Sequence, residues 1–141
     1  MDLTRRRLCL LLPAFCSSSA LVPQQGTLPS SALRFEDLPV RKDKENAFRQ
    51  ILKGTTHTGD HLEVHETTLA PGSLPHPAHR HLDEEMFLIH EGLVEVTIEG
   101  KNFRLGPGSA AFISSNDEHA IRNVGTAPAQ YFVVHLGLKT P

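Results

Sequence analysis

Apolar and polar residues alternate with a period of two over much of this chain, in short runs cut by turn residues. Val94 to Ile98 is the clearest case: Val94, Val96 and Ile98 fall on one side, Glu95 and Thr97 on the other. A half-buried strand has that pattern. The same logic predicts strands at about His61 to Ala70, stopped by Pro71-Gly72, and at about Glu85 to Glu91, stopped by Gly92. A hairpin turn at Glu99-Gly100-Lys101-Asn102 leads into Phe103 to Leu105, and Gly106-Pro107-Gly108 breaks the chain again. Runs near Ala110 to Ile113, Glu118 to Val124 and Ala129 to Leu136 complete the set. Many short strands, regular turns and no long helix predict an all-β sandwich or barrel.

Upstream the pattern weakens. Phe48, Ile51 and Leu52 have helical spacing, but the stretch runs into Gly54-Thr55-Thr56 and lacks a good cap. An irregular lead-in, then a strand from about Arg49 to Thr56, is the expectation. Residues 21–44 are expected to form an extended arm, with Pro23, Pro29 and Pro39 among Gln, Gly and Ser. Residues 1–20 have the layout of an export signal: Arg5, Arg6 and Arg7, then an apolar stretch from Leu8 to Phe15, then Ser18 and Ala20 at the −3 and −1 places. Thr4-Arg5-Arg6-Arg7-Leu8 also fits a twin-arginine signal. The apolar stretch is too short to span a bilayer. The predicted organisation is thus signal peptide 1–20, arm 21–44, one β-barrel domain 45–137 and a tail 138–141, in a periplasmic or secreted protein.

Composition sharpens this picture. At 141 residues, 21% charged and 39% hydrophobic, the chain suits a single globular domain. Loss of residues 1–20 takes basic residues from 14 to 11 and acidic ones from 16 to 15, a net charge of −4. No basic block remains to bind nucleic acid or an anionic membrane. Both cysteines, Cys9 and Cys16, depart with the signal. Disulfides, thiolate ligands and a cysteine nucleophile go with them. The nine histidines then carry the chemical interest.

His79 and His81 are two residues apart, which on a strand puts both imidazoles on one face, about 7 Å apart at the backbone. Glu85 follows after a stretch long enough for a tight turn, and His119 opens a later strand with Asn123 on the same face. Three imidazoles and a carboxylate suit one divalent transition metal, Mn, Fe, Zn, Ni or Cu, with positions left for water or substrate.

Gly72…His79-x-His81-x3-Glu85-x6-Gly92 resembles the first cupin motif, and Gly108-x5-Ser114-x-Asn116-x2-His119-x3-Asn123 resembles the second. The likeness extends over roughly residues 45–137. It implies a double-stranded β-helix, a jelly-roll barrel of six to eight strands, with a metal inside. His79, His81, Glu85 and His119 fill the family's ligand positions. The chain departs from the pattern in the spacing from Gly72 to His79, one residue longer than usual, and in Ser114 and Asn116, which stand where Pro and Gly are common. Asn tolerates the left-handed conformation that Gly would supply. Asn123 is read as structural.

The other histidines receive plainer expectations. His57, His61 and His65 are read as surface groups, His90 as facing outward with Met86 and Leu88, and His135 as a strand-end residue. His76 is placed at the mouth of the site, where it, or Glu84, would carry a proton, with Glu85 as ligand and catalytic group. Arg80, Glu84 and Arg122 alternate away from the ligand face. Phe87, Ile89 and Ile121 would join an apolar interior without an assigned Arg or Lys, which argues against phosphosugars and oxalate as substrates. The expected function is a metal-dependent enzyme with dioxygenase-like or hydrolytic chemistry on a small organic molecule. The alternative is a non-catalytic, metal-containing binding module. Mn or Fe is favoured as the metal if the protein folds before export. Met86 and Leu88 on the outside, together with the cupin likeness, predict a homodimer.

Overall fold

The computed structural model describes residues 27–138; the expected export signal lies outside them. Nine strands follow one short 3-10 turn at Phe35–Asp37: β1 (Val40–Asp43), β2 (Asn46–Thr55), β3 (His61–Leu69), β4 (Glu84–Glu91), β5 (Val94–Ile98), β6 (Lys101–Leu105), β7 (Ala110–Ile113), β8 (His119–Asn123) and β9 (Ala129–Gly137). They form a six-stranded sheet in the order β1-β2-β3-β9-β4-β7 and a three-stranded sheet in the order β6-β5-β8. No helix among the described residues is long and apolar enough to cross a membrane.

The strand pattern from His61 onward matches expectation within one or two residues. The β5–β6 hairpin is tighter, turning on Glu99 and Gly100 alone, both with positive φ, as a two-residue loop between twisted strands requires. Upstream the outcome differs. The helical spacing of Phe48, Ile51 and Leu52 comes from a bulge between Gln50 and Leu52, which shifts one apolar residue by a position. Pairing begins at Val40, inside the expected arm, because Lys44 takes a positive φ and closes a β1–β2 hairpin. Residues 27–38 cross the outside of the large sheet. Leu28 donates its N–H to the Thr55 carbonyl, and the Arg49 guanidinium stacks 4.4 Å from the Phe35 ring centroid.

The core lies between the sheets. Phe87 and Ile89 of β4, Tyr131 and Val133 of β9, Val94 and Val96 of β5, and Ile121 of β8 are all buried. Register carries one face across the large sheet: Glu85 opposes His135, which opposes Glu63, while Phe87 opposes Val133, which opposes His65. Six strands facing three leave much of the inner face toward β1 without a sheet opposite. A cavity of about 320 Å³ lies there, lined by Arg41, Phe48, His65 and Thr67 on one side and by Pro75, His76 and His79 on the other.

Gly92 shows how closely the chain passes itself. Its φ is +79°, and a Cβ there would sit 2.7 Å from the Ala129 Cα. Only Gly satisfies both conditions. On the outer face, Met86 lies between Phe112 and Val134, and Leu88 between Ala110 and Phe132. Met86, Leu88, Phe112 and Leu136 are between 36% and 53% exposed, an apolar band on that face.

Candidate metal centre

The ligand-bearing segments meet through the backbone. His79 lies in the long β3–β4 connection, and its N–H and C=O exchange hydrogen bonds with those of His119, the first residue of β8. His81 is held by the Asn116 N–H, which donates to its carbonyl at 2.8 Å. Asn116 makes that turn with φ of +67°. Glu85 comes from the opposite sheet, one residue into β4. His79 and His81 converge without a regular strand: pairing with β8 and its turn aims both imidazoles at one point, with ring centroids 5.2 Å apart.

The donor set fits a cation. His79, His81 and His119 each offer a ring nitrogen, all within 4.8 Å of one another. The Glu85 Oε2 atom lies 2.7 Å from His119 Nε2 and 3.4 Å from His81 Nε2. His81 Nδ1 lies 2.8 Å from the Asp83 carbonyl and His119 Nδ1 lies 2.9 Å from the Asp117 carbonyl. A carbonyl only accepts, so in both rings the Nδ1 proton is committed and the Nε2 lone pair faces inward. His119 Nε2, His81 Nε2 and Glu85 Oε2 are buried without a hydrogen-bond partner. Lone pairs of an imidazole and a carboxylate at 2.7 Å repel one another unless a proton or a metal ion lies between them.

Proton affinities follow from this crowding. Burial tends to raise the Glu85 pKa, but the close His119 ring and the charges of His135 and His81 outweigh it and hold the carboxyl below its usual range. Burial tends to lower the His119 pKa, but the Glu85 carboxylate and the Asp117 carbonyl outweigh it and push the imidazole up. His79 is pushed down, by burial first and then by its neighbours His76, His119 and His81. His65 is driven to about 4 by burial and by His135.

His76 lies where expected, exposed beside the site, with its ring edge-on to His79 at 4.2 Å between centroids. Asn123 is structural: its side-chain N–H groups donate to the Leu69 and Ala127 carbonyls, and its oxygen accepts from the Gly125 N–H. Arg80, on the outside, reaches Glu99, Glu118 and the Asn116 carbonyl. Four expectations change. His135 is an interior residue, its Nε2 3.2 Å from Glu85 Oε1, and it forms a second potential ligand set with His81 and Glu85. His65 lines the cavity and does not lie on the surface. Glu84 points outward opposite Leu136 and has no access to the site. Arg41, on the exposed edge strand β1, lines the cavity, so the cavity does not lack a cation at its rim. Alternation from Glu85 across β4, β9 and β3 was the available signal for His135 and His65, but strand order is not written in any one segment.

A family model described as cupin domain matches residues 65–135. The chain belongs to the cupin family. It is 35% identical over 81 residues to an L-ectoine synthase of Bordetella parapertussis, which covers 57% of this chain and 60% of that protein. It is 30% identical over 122 residues to a dimethylsulfoniopropionate lyase of Ruegeria pomeroyi, covering 86% of this chain and 58% of that one. The chain thus spans less than two thirds of either relative. The crystal structure of an RmlC-like cupin from Shewanella frigidimarina superposes with a TM-score of 0.65 at 13% identity, covering 79% of this chain and 94% of that one.

Replacing His79, His81 or His119 with Ala should lower Zn²⁺ affinity by at least about a hundredfold, read by competition with a coloured chelator. Glu85→Ala should cost less, and Arg80→Ala should change little. Affinity should fall as pH drops, because a protonated imidazole cannot ligate. Since His119 holds its proton above the ordinary value of 6.5, that fall should begin above pH 6.5. Stoichiometric zinc in the His81→Ala protein would refute the ligand assignment.

Proposed function

We propose that this chain is a metal-dependent cupin enzyme acting on a small organic molecule, exported and working as a homodimer. The observation that carries the catalytic part is the pair of inward lone pairs on His119 and Glu85, 2.7 Å apart at the end of a cavity of about 320 Å³. His79, His81, His119 and Glu85 would hold one divalent transition metal, with Mn or Fe favoured. Such an ion supplies Lewis-acid polarisation of a substrate oxygen or activation of water or O₂.

The protein's own contribution is orientation and exclusion of water. The Asp83 and Asp117 carbonyls fix two imidazoles in the ligating tautomer. Phe87, Ile121 and Val133 wall the inner cavity with apolar surface. His76, exposed at the opening, can carry a proton between substrate and solvent. The matched relatives are named a synthase and a lyase, which supports bond making or breaking at a small molecule. That chemistry stands beside the dioxygenase-like and hydrolytic reactions expected from the sequence.

Protein reloaded with Mn²⁺, Fe²⁺ or Zn²⁺ should convert dimethylsulfoniopropionate or another small organic acid, followed by NMR and oxygen uptake. Turnover should vanish on chelation. His76→Ala should lower kcat by about a hundredfold. Tight binding with no chemical change in any metal form would instead assign a non-catalytic binding module.

The apolar band of Met86, Leu88, Phe112 and Leu136 supports the homodimer, because a surface of that kind needs cover. Met86→Glu with Leu88→Glu should convert the dimer to monomer in sedimentation. A wild-type chain that sediments as a monomer overturns the assembly.

Export is proposed from residues 1–20 alone, by the twin-arginine route. Imidazole and carboxylate sites bind Cu and Zn more tightly than Mn or Fe. Retention of Mn or Fe therefore calls for folding before export, which that route permits. Arg5, Arg6 and Arg7 all changed to Lys should stall export. Unchanged export, with Zn or Cu in the purified protein, sinks the proposal.

A further inference from the structure

We propose that Arg41 is the anchor for a carboxylate on the substrate, at the opposite end of the cavity from the imidazole cluster. The inference deepens the enzyme assignment and rests on the cavity being the substrate site.

Arg41 belongs to β1, directly opposite Phe48 of β2 in register. Phe48 opposes Thr67, which opposes Tyr131, so Arg41 lies on the inner face of the sheet. Its guanidinium stands 4.7 Å from the Phe48 ring centroid. From there the wall runs inward as a stack of rings. Phe48 lies 4.5 Å from His65, His65 lies 5.8 Å from His135, and His135 lies 5.1 Å from His81. One end of this wall is a guanidinium and the other is the candidate metal centre.

The guanidinium has no ion-pair or hydrogen-bond partner among the described residues. Arg34, Arg49, Arg80 and Arg104 each lie within ion-pair distance of a carboxylate. Among the described residues Arg41 makes neither an ion pair nor a hydrogen bond. Asp43, two residues along the same face, also lines the cavity but does not pair with it. The contact with the Phe48 ring uses none of the guanidinium's N–H donors, which stay free for a ligand. Those donors match a carboxylate in a two-pronged hydrogen bond.

Charge along the cavity gives the substrate a direction. Arg41 is the only Arg or Lys among the cavity-lining residues described. His65 is held neutral between the two ends, and Tyr131 is pushed far above its usual range by burial. Glu85 places a negative charge at the inner end, which repels a second carboxylate. A monocarboxylate therefore enters with its acid group toward Arg41 and its remaining atoms toward the cluster. The cavity volume limits it to a small molecule.

Butyrate and its neutral amide, butyramide, are probes of equal size. Each is titrated into zinc-loaded, ¹⁵N-labelled protein and followed by NMR shifts. The wild type should prefer butyrate by about tenfold or more. Arg41→Gln should bring the two probes within about twofold of one another, Arg41→Lys should keep part of the preference, and Asp43→Asn, which removes the acid beside Arg41, should keep it all or raise it. Phe48→Leu, which removes the ring beside the guanidinium, should weaken the preference with the charge intact. Equal affinity for the two probes in the wild type, or no binding of either, overturns the proposal. So does a preference that persists in Arg41→Gln, which would place the carboxylate on the zinc. Failure of the metal assignment reads differently, as absent zinc, which is measured on each sample beforehand.

Discussion

A buried carboxylate facing two committed imidazoles is the constraint around which this molecule is organised. Glu85 is 6% exposed, and ionised carboxylates are rarely buried without compensation. Hydrogen bonds to the Asp83 and Asp117 carbonyls fix the Nδ1 protons of His81 and His119 and turn their Nε2 lone pairs toward it. The arrangement is unfavourable for a neutral site and favourable around a cation. A proton on His119 meets the demand in part, which explains the opposite shifts of the two groups: one carboxyl held down, one imidazole pushed up. A divalent ion meets it more fully, because it also satisfies His81 and His79.

The fold supplies the parts from separate places. His79 and His119 are locked to each other by reciprocal backbone hydrogen bonds, Glu85 arrives from the facing sheet, and the Asn116 turn holds His81. Arg80 sits on the outside of this turn and ties Glu99, Glu118 and the Asn116 carbonyl together. Its exposed ion pairs add little stability by themselves. They do fix the turn from which both His81 and β8 are positioned. The unequal sheets, six strands against three, leave a cavity beside the cluster, with the core residues Phe87, Ile121, Tyr131 and Val133 in its wall.

Local patterns in the sequence carried most of the fold. Period-two alternation and Gly or Pro breaks located the strands from His61 to Gly137, most clearly β4, β7 and β8, where buried and exposed residues alternate. The same rule missed β1, whose four residues are all exposed and therefore show no burial pattern. It blurred β2, where a bulge moves the apolar positions out of phase. The set His79, His81, Glu85 and His119 was legible because spacing within two short segments encodes it. His135 and His65 were not. Their place depends on β9 lying between β3 and β4, a non-local order that no hydrophobic period reports. Arg41 was missed for the same reason as β1: an edge strand that looks like linker.

That strand order also distributes the buried charge. Glu85, His135, Glu63 and Lys53 oppose one another in turn across β4, β9, β3 and β2. Lys53 Nζ lies 2.7 Å from Glu63 Oε2, and His135 stands between Glu63 and Glu85. Lys53 is half exposed and Glu85 is buried, so the row runs from solvent to the candidate metal centre with a basic group flanking each acid. Apolar residues at the other three positions would leave Glu85 alone in a low-dielectric interior. The polar row gives the carboxylate a second neighbour on Oε1 while Oε2 stays directed at His81 and His119. One carboxylate can then be ionised, buried and aimed in a single direction, which is the condition a first ligand has to meet before any ion arrives.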